Sequence, residues 1–239
     1  MGVNAQTAVP EFQALEVLTA AEMTQINTGI PVFATTVTRD AAFGGAGEKT
    51  LAQGQYAYIE ATSTLMVYTG SAWTNAISNG LVLVKTQTIG TTVGSVTVTN
   101  AFSSTYDNYL ITLNGGAGSG ANDINMTLGA TVTGYYSAGY FMTSNSATVG
   151  GTNSNNGSSW LSVGGITTNT LNMEVVLYEP NLAKRTVFNS RMIKASGSGP
   201  MVQLQGYLDN ATQYTDFTLT ASSGTLTGGT IRIYGYANS

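Results

Sequence analysis

Six carboxylates in the C-terminal two thirds of the chain have the right types for chemistry: Asp107, Asp123, Glu174, Glu179, Asp209 and Asp216. A glycosidase can work with two carboxylates alone, one as acid and one as base or nucleophile. No spacing among these six requires two of them to meet. Asp107 and Asp209 lie in turn-like Tyr-Asp-Asn and Leu-Asp-Asn contexts, and Glu174 lies inside a β run, so turn and surface roles are expected. Calcium needs several clustered oxygen ligands, and Asn122-Asp123 beside a loop supplies the start of a set, no more. Lys184-Arg185 is the single adjacent basic pair. After Pro180-Asn181 it reads as a turn, or functionally as a salt bridge to a neighbouring subunit.

What the chain lacks narrows the chemistry further. It has no cysteine and no histidine. That excludes disulfides, thiol nucleophiles, thiolate or imidazole metal sites and a Ser-His-Asp triad. Charged residues make up 8% of 239, with a net charge of −4 and no basic patch, so nucleic acid is not an expected partner. The glycine-rich GGAGSG stretch at 115–120 has no following Lys-Ser/Thr and no helix after it. It reads as a β connection rather than a phosphate loop. No cofactor and no metal are expected.

Aromatic residues are the remaining functional candidates. Tyr135, Tyr136, Tyr140 and Phe141 cluster, and Trp160 follows a loop of Asn, Ser and Gly. Burial in a β core is the expected role. The functional alternative is that Tyr135, Tyr136 and Trp160 stack on a glycan or anchor an interface.

The elements that must position these residues are mainly β. Thr, Val and Tyr favour pleated surfaces, while Gly, Asn and Ser supply turns. Three regions follow from the pattern. Residues 1–30 read as an extended arm broken by Pro10, carrying apolar Phe12, Leu15, Leu18, Met23 and Ile26. Thr19-Ala20-Ala21-Glu22 fits a capping box, which predicts a short helix ended by Gly29 and Pro31. The arm either packs on its own domain or docks on a partner.

Residues 31–80 read as a small β-hairpin module. It has a helical turn near Thr38–Phe43, strands at Gln55–Glu60 and Leu65–Tyr68, and Trp73 folding back over them. A lone hairpin is marginal in water, so the module needs another surface. Residues 81–239 read as about eleven short strands, with long loops at Asn114–Asp123, Thr143–Ser159 and Ala195–Pro200. This pattern fits a jelly-roll-like antiparallel β-sandwich. No run approaches the 20 or so apolar residues of a membrane span, so no membrane insertion is expected. The opening MGVNAQTAVPEFQ lacks the basic and apolar regions of a secretory signal.

Several segments together resemble a known group. Leu18–Met23, Pro31–Thr36, Arg39–Phe43, Gly54–Tyr58 and Val67–Trp73 are similar to the N-terminal region of virion surface proteins of tailed bacteriophages. Lys85–Gly90 and Gly224–Tyr236 are similar to their C-terminal part. The resemblance implies a homotrimer with a β-sandwich head and no enzymatic site. It leaves two roles open. One is a capsid-decorating (cement or head-fibre) protein on the virion surface, with the arm on the major capsid protein lattice. The other is a short tail fibre or tailspike that recognises host surface glycan. A fibre needs reach, and the chain has no heptad run, collagen-like repeat or periodic shaft. Decoration is therefore the expectation. An enzyme such as a polysaccharide depolymerase is a third class, disfavoured by the absence of His and of a paired-acid motif.

Overall fold

The computed structural model describes residues 9, 17, 19, 29–45, 48–77, 80–194 and 199–238. They fall into two compact units, Met1–Asn79 and Gly80–Ser239. The helix expected from Thr19, and the arm residues Phe12, Leu15, Leu18, Met23 and Ile26, lie outside the described residues, apart from Thr19 itself.

The first unit contains β1 (Val32–Phe33), α1 (Thr36–Asp40), β2 (Tyr56–Ile59), β3 (Thr64–Tyr68) and β4 (Trp73–Asn75). The sheet order is β1-β2-β3-β4, with β1 parallel to β2 and the other pairs antiparallel. Thr35 caps α1: its hydroxyl accepts from the Thr38 amide, and the Thr38 hydroxyl accepts from the Thr35 amide. The expected hairpin forms through a 3-10 turn at Glu60–Thr62, with Ser63 in the left-handed region.

Its core is Val9, Phe33, Ala42, Ala57 and Ile59, with Phe43, Met66 and Trp73 packed against it. The Val9 amide donates to the Ala42 carbonyl, so a residue assigned to the arm is part of this core. Arg39 is the one buried charge among the described residues of this unit. Its guanidinium lies 4.7 Å from the Trp73 ring and pairs with Asp40 at 2.7 Å, which meets the cost of desolvating it.

The second unit is antiparallel β. Its strands are β5 (Leu81–Thr88), β6 (Ser95–Val98), β7 (Asn108–Gly115), β8 (Ala117–Gly118), β9 (Asn122–Leu128), β10 (Tyr135–Thr143), β11 (Val149–Gly157), β12 (Trp160–Ile166), β13 (Leu171–Tyr178), β14 (Thr186–Ile193), β15 (Pro200–Leu208), β16 (Phe217–Ala221), β17 (Leu226–Thr227) and β18 (Thr230–Tyr236). Eight of them pair side by side in the order β5-β18-β7-β13-β14-β15-β10-β11. A second run, β12-β9-β16-β6, joins where β12 pairs with the first residues of β13.

At that fork Asn172 continues the ladder with its side chain, donating to the Ile193 carbonyl and accepting from the Ile193 amide. Gly164-Gly165 lets β12 cross there, because a Cβ on Gly165 would sit 2.6 Å from the Ile193 carbonyl oxygen. β5, β11 and β6 each end a run without a further partner among the described residues, so no closed barrel forms.

Period-two alternation builds the core. Leu171, Met173, Val175 and Leu177 of β13 point inward, as do Tyr109, Ile111 and Leu113 of β7, and they meet Ile124, Met126 and Leu128 of β9. Two tyrosines lock corners. The Tyr109 hydroxyl donates to the Ser103 carbonyl and accepts from the Ser103 amide, both at 2.8 Å. The Tyr135 hydroxyl accepts from the Leu128 amide and donates to the Thr131 carbonyl.

The GGAGSG segment is a β connection in the structure. Gly115 and Gly116 turn with positive φ into β8, which pairs with β17. A Cβ on Gly116 would lie 2.6 Å from the Gly228 carbonyl, so no larger residue fits. The loop expected at Thr143–Ser159 is instead mostly strand β11.

Candidate functional site

Alternation that sends one set of side chains inward sends the other set to the outward face of the eight-stranded run. Strand register arranges that face in rows. One row reads Arg232, Thr112, Glu174, Arg191, Gln203, Tyr140 across six adjacent strands. It is polar and satisfied internally: Arg191 pairs with Glu174, Tyr140 donates to Gln203 at 2.7 Å, and Arg232 donates to Asn114.

The next row toward one strand end is polar over β18, β7 and β13 (Thr230, Asn114, Asn172) and apolar beyond them. Ile193, Met201, Met142 and Val149 are register partners on β14, β15, β10 and β11. They are 52%, 43%, 36% and 60% exposed. With Tyr140 and the Glu174–Arg191 pair they line a groove of about 620 Å³. At the far margin, Leu81 and Leu83 on edge strand β5 are also exposed, beside Tyr236 and Tyr234 of β18.

The opposite strand ends carry an aromatic row of Tyr178, Val187, Tyr207 and Tyr136. Tyr136 and Tyr207 stack with centroids 5.0 Å apart at 8°. The Arg185 guanidinium lies 5.7 Å from the Tyr207 ring, with its Nε 2.7 Å from Asp209. The hydrogen bond and charge of Asp209 hold the Arg185 pKa above its ordinary value.

The structure separates the three aromatic candidates. Trp160 and Tyr135 have no exposed surface, so neither is available to a glycan or a partner. The Trp160 indole lies between Tyr135 (5.2 Å, edge-on) and Phe188 (4.4 Å), and its N–H donates to the Tyr207 carbonyl. This corrects the exposed alternative for both residues. Trp160 opens β12 facing inward, and burial pushes the Tyr135 phenol up to about 12. Tyr136, one residue on, points outward and is half-buried in its stack with Tyr207.

Most of the carboxylates have cations of their own. Glu174 faces Arg191, Glu179 faces Lys184, Asp209 faces Arg185, and Asp123 faces Lys194 at 2.7 Å. Asp123 also accepts from the Ser162 hydroxyl, and Asp216 accepts from the Asn100 amide. Lys184 and Arg185 therefore both pair within the chain. No group of three or more acidic residues able to hold a metal occurs among the described residues. No helix there is long and apolar enough to cross a membrane.

The arrangement is suited to packing and stacking. Sequence reasoning missed the residues that compose it: Met142, Val149, Ile193, Met201, Tyr207, Leu81 and Leu83. A signal existed, since Thr186–Ile193 places apolar residues on both alternating sets, but alternation alone does not say which set faces out. No protein-family model, curated protein or solved structure matches the chain.

Proposed function

We propose that this chain is a structural virion protein of a tailed bacteriophage: a trimeric, capsid-decorating protein that binds and reinforces the assembled head. In this reading the arm, residues 1–30, docks on the major capsid protein lattice, Gly80–Ser239 is a jelly-roll-like sandwich presented outward, and the chain performs no catalysis. The observation that carries the reading is a surface whose ionic groups are mostly paired within the unit and whose apolar groups stand exposed. Four ion pairs in Gly80–Ser239 close within the unit, while Ile193, Met201, Val149 and Leu83 stand in solvent. Contiguous exposed apolar side chains mark interaction surfaces. The resemblance of Pro31–Thr36, Val67–Trp73 and Gly224–Tyr236 to phage virion surface proteins supplies the kind of assembly. A protein that binds the lattice only once it is assembled stabilises it by mass action.

A short tail fibre that recognises host glycan is the second reading. The stacked Tyr136–Tyr207 pair beside Arg185 favours it, because aromatic faces flanked by polar groups suit sugar rings. Immunogold labelling of intact virions separates the two. Decoration requires many labels spread over the head. A few labels confined to the tail support the fibre, and no label on any virion overturns both.

A further inference from the structure

On the outward face of the eight-stranded run, a middle row lies between two of the rows described above. Strand register places Val176, Asn189, Gln205, Ala138 and Asn153 side by side on β13, β14, β15, β10 and β11. One flank is the row from Tyr178 to Tyr136, and the other is the row from Glu174 to Tyr140. The flanks stand four residues apart along each strand, about 13 Å. The middle row holds amides but no ring and no charge, so it floors a trough that crosses these strands over about 19 Å. At the β13–β15 end the trough deepens into a pocket of about 240 Å³. Val176, Tyr178, Asn189, Gln203 and Gln205 line it, with the Glu174–Arg191 pair on one wall.

The chain leaves hydrogen-bonding capacity unused there. Gln205 is exposed, and its amide has no partner among the described residues. The Asn189 amide nitrogen donates to the Tyr178 hydroxyl at 3.2 Å, which leaves its oxygen open. The Gln203 oxygen accepts from Tyr140 at 2.7 Å, which leaves its nitrogen open.

We propose that the trough binds a linear, uncharged glycan laid across the strands, with one sugar ring in the pocket. The inference deepens the glycan-binding reading above, whose stacked tyrosines stand on one flank. It rests on the ligand of that reading and on no place in the virion. Three features give the class. A side-chain amide both donates and accepts, as a sugar hydroxyl does, and Asn189, Gln203 and Gln205 converge on one pocket. The two charges on the pocket wall neutralise each other, so nothing there favours an acidic sugar. Tyr178 and Val176 offer apolar surface to the C–H face of a ring.

Titration calorimetry on purified full-length protein tests this. The probes are linear hexamers of α-linked glucose, β-linked glucose, mannose and N-acetylglucosamine, with hexagalacturonate as the acidic comparison. At least one neutral hexamer should bind with a Kd of about 1 mM or tighter. Its binding should shift the side-chain amide NMR signals of Asn189, Gln203 and Gln205. Gln205→Ala removes a group without a partner, so it should keep the wild-type circular dichroism and lose affinity about tenfold. Asn189→Ala tests the same pocket from β14 and should also weaken binding. No heat from any neutral hexamer at up to about 10 mM overturns the proposal. So does wild-type affinity in Gln205→Ala, or hexagalacturonate binding more tightly than every neutral hexamer. Shifts confined to Tyr136 and Tyr207 put the glycan on the stacked pair and overturn the trough. No virion is involved, so failure here is distinct from failure of the labelling experiment.

Discussion

Replacing Trp160 with alanine should act on stability. The indole has no exposed surface, packs edge-on against Tyr135 and over Phe188 at 4.4 Å, and satisfies its N–H on the Tyr207 carbonyl. Truncating a buried Trp to Ala costs about 3–5 kcal/mol, from lost transfer free energy and the cavity left behind. Neighbours from β10, β14 and β15 meet at the site, so collapse into the hole is restricted and the upper half of that range applies. For a unit of this size each kcal/mol lowers Tm by about 2–4 °C, which gives a drop of roughly 8–20 °C. The assay is thermal and urea unfolding followed by near-ultraviolet circular dichroism. Trp73 remains as a separate fluorescent reporter, because the two tryptophans lie in different units. Trp160→Phe, which keeps a ring between Tyr135 and Phe188, should lose clearly less. A Tm within about 3 °C of wild type for Trp160→Ala would refute the packing argument. It would also return the indole to candidacy as a binding platform.

Alkaline pH should weaken the second unit through Tyr135. Its folded pKa is raised from 10.0 to about 12, chiefly by burial, so the folded state keeps a proton that the unfolded chain has lost. That contribution is complete below pH 10 and disappears between pH 10 and 12, amounting to about 3 kcal/mol. Urea midpoints from pH 8 to 12 should therefore fall more steeply for wild type than for Tyr135→Phe, and equal slopes would count against the assignment. Gly206→Ala should be severe, with a loss of about 3 kcal/mol or more. Its Cβ would overlap the Tyr136 carbonyl and lie 2.7 Å from the Phe188 ring. Gly151→Ala on edge strand β11 meets nothing within 4 Å and should change stability by less than about 0.5 kcal/mol. Comparable melting of these two variants would show the β10–β15 approach to be looser than described.

Much of the strand pattern was legible because alternation and turn residues are local signals. Leu81–Thr88, Leu171–Tyr178, Thr186–Ile193 and Thr230–Tyr236 have the bounds expected from their apolar periodicity. β11 was not legible. VGGTNSNNG has no apolar face, and it is a strand because β10 offers an edge for it to pair with. The small module was readable as a hairpin, but the role of Val9 in its core was not, because the Val9–Ala42 hydrogen bond joins residues 33 positions apart.

The sequence by itself determined the chemical inventory. It holds no His and no Cys and few charges, so thiol and imidazole chemistry are absent, and its Thr, Val, Tyr and Gly favour β surfaces and tight turns. The alternation of its strands also determined that this unit would be antiparallel β with one inward set of side chains. Only the tertiary structure decided which set that was. It buried Trp160 and Tyr135, turned Tyr136 outward, and aligned Ile193, Met201, Met142 and Val149 in one exposed row. The physical reason is register: a one-residue shift in pairing exchanges the two faces of a strand. Register depends on partners scattered over more than a hundred residues, which no local pattern encodes.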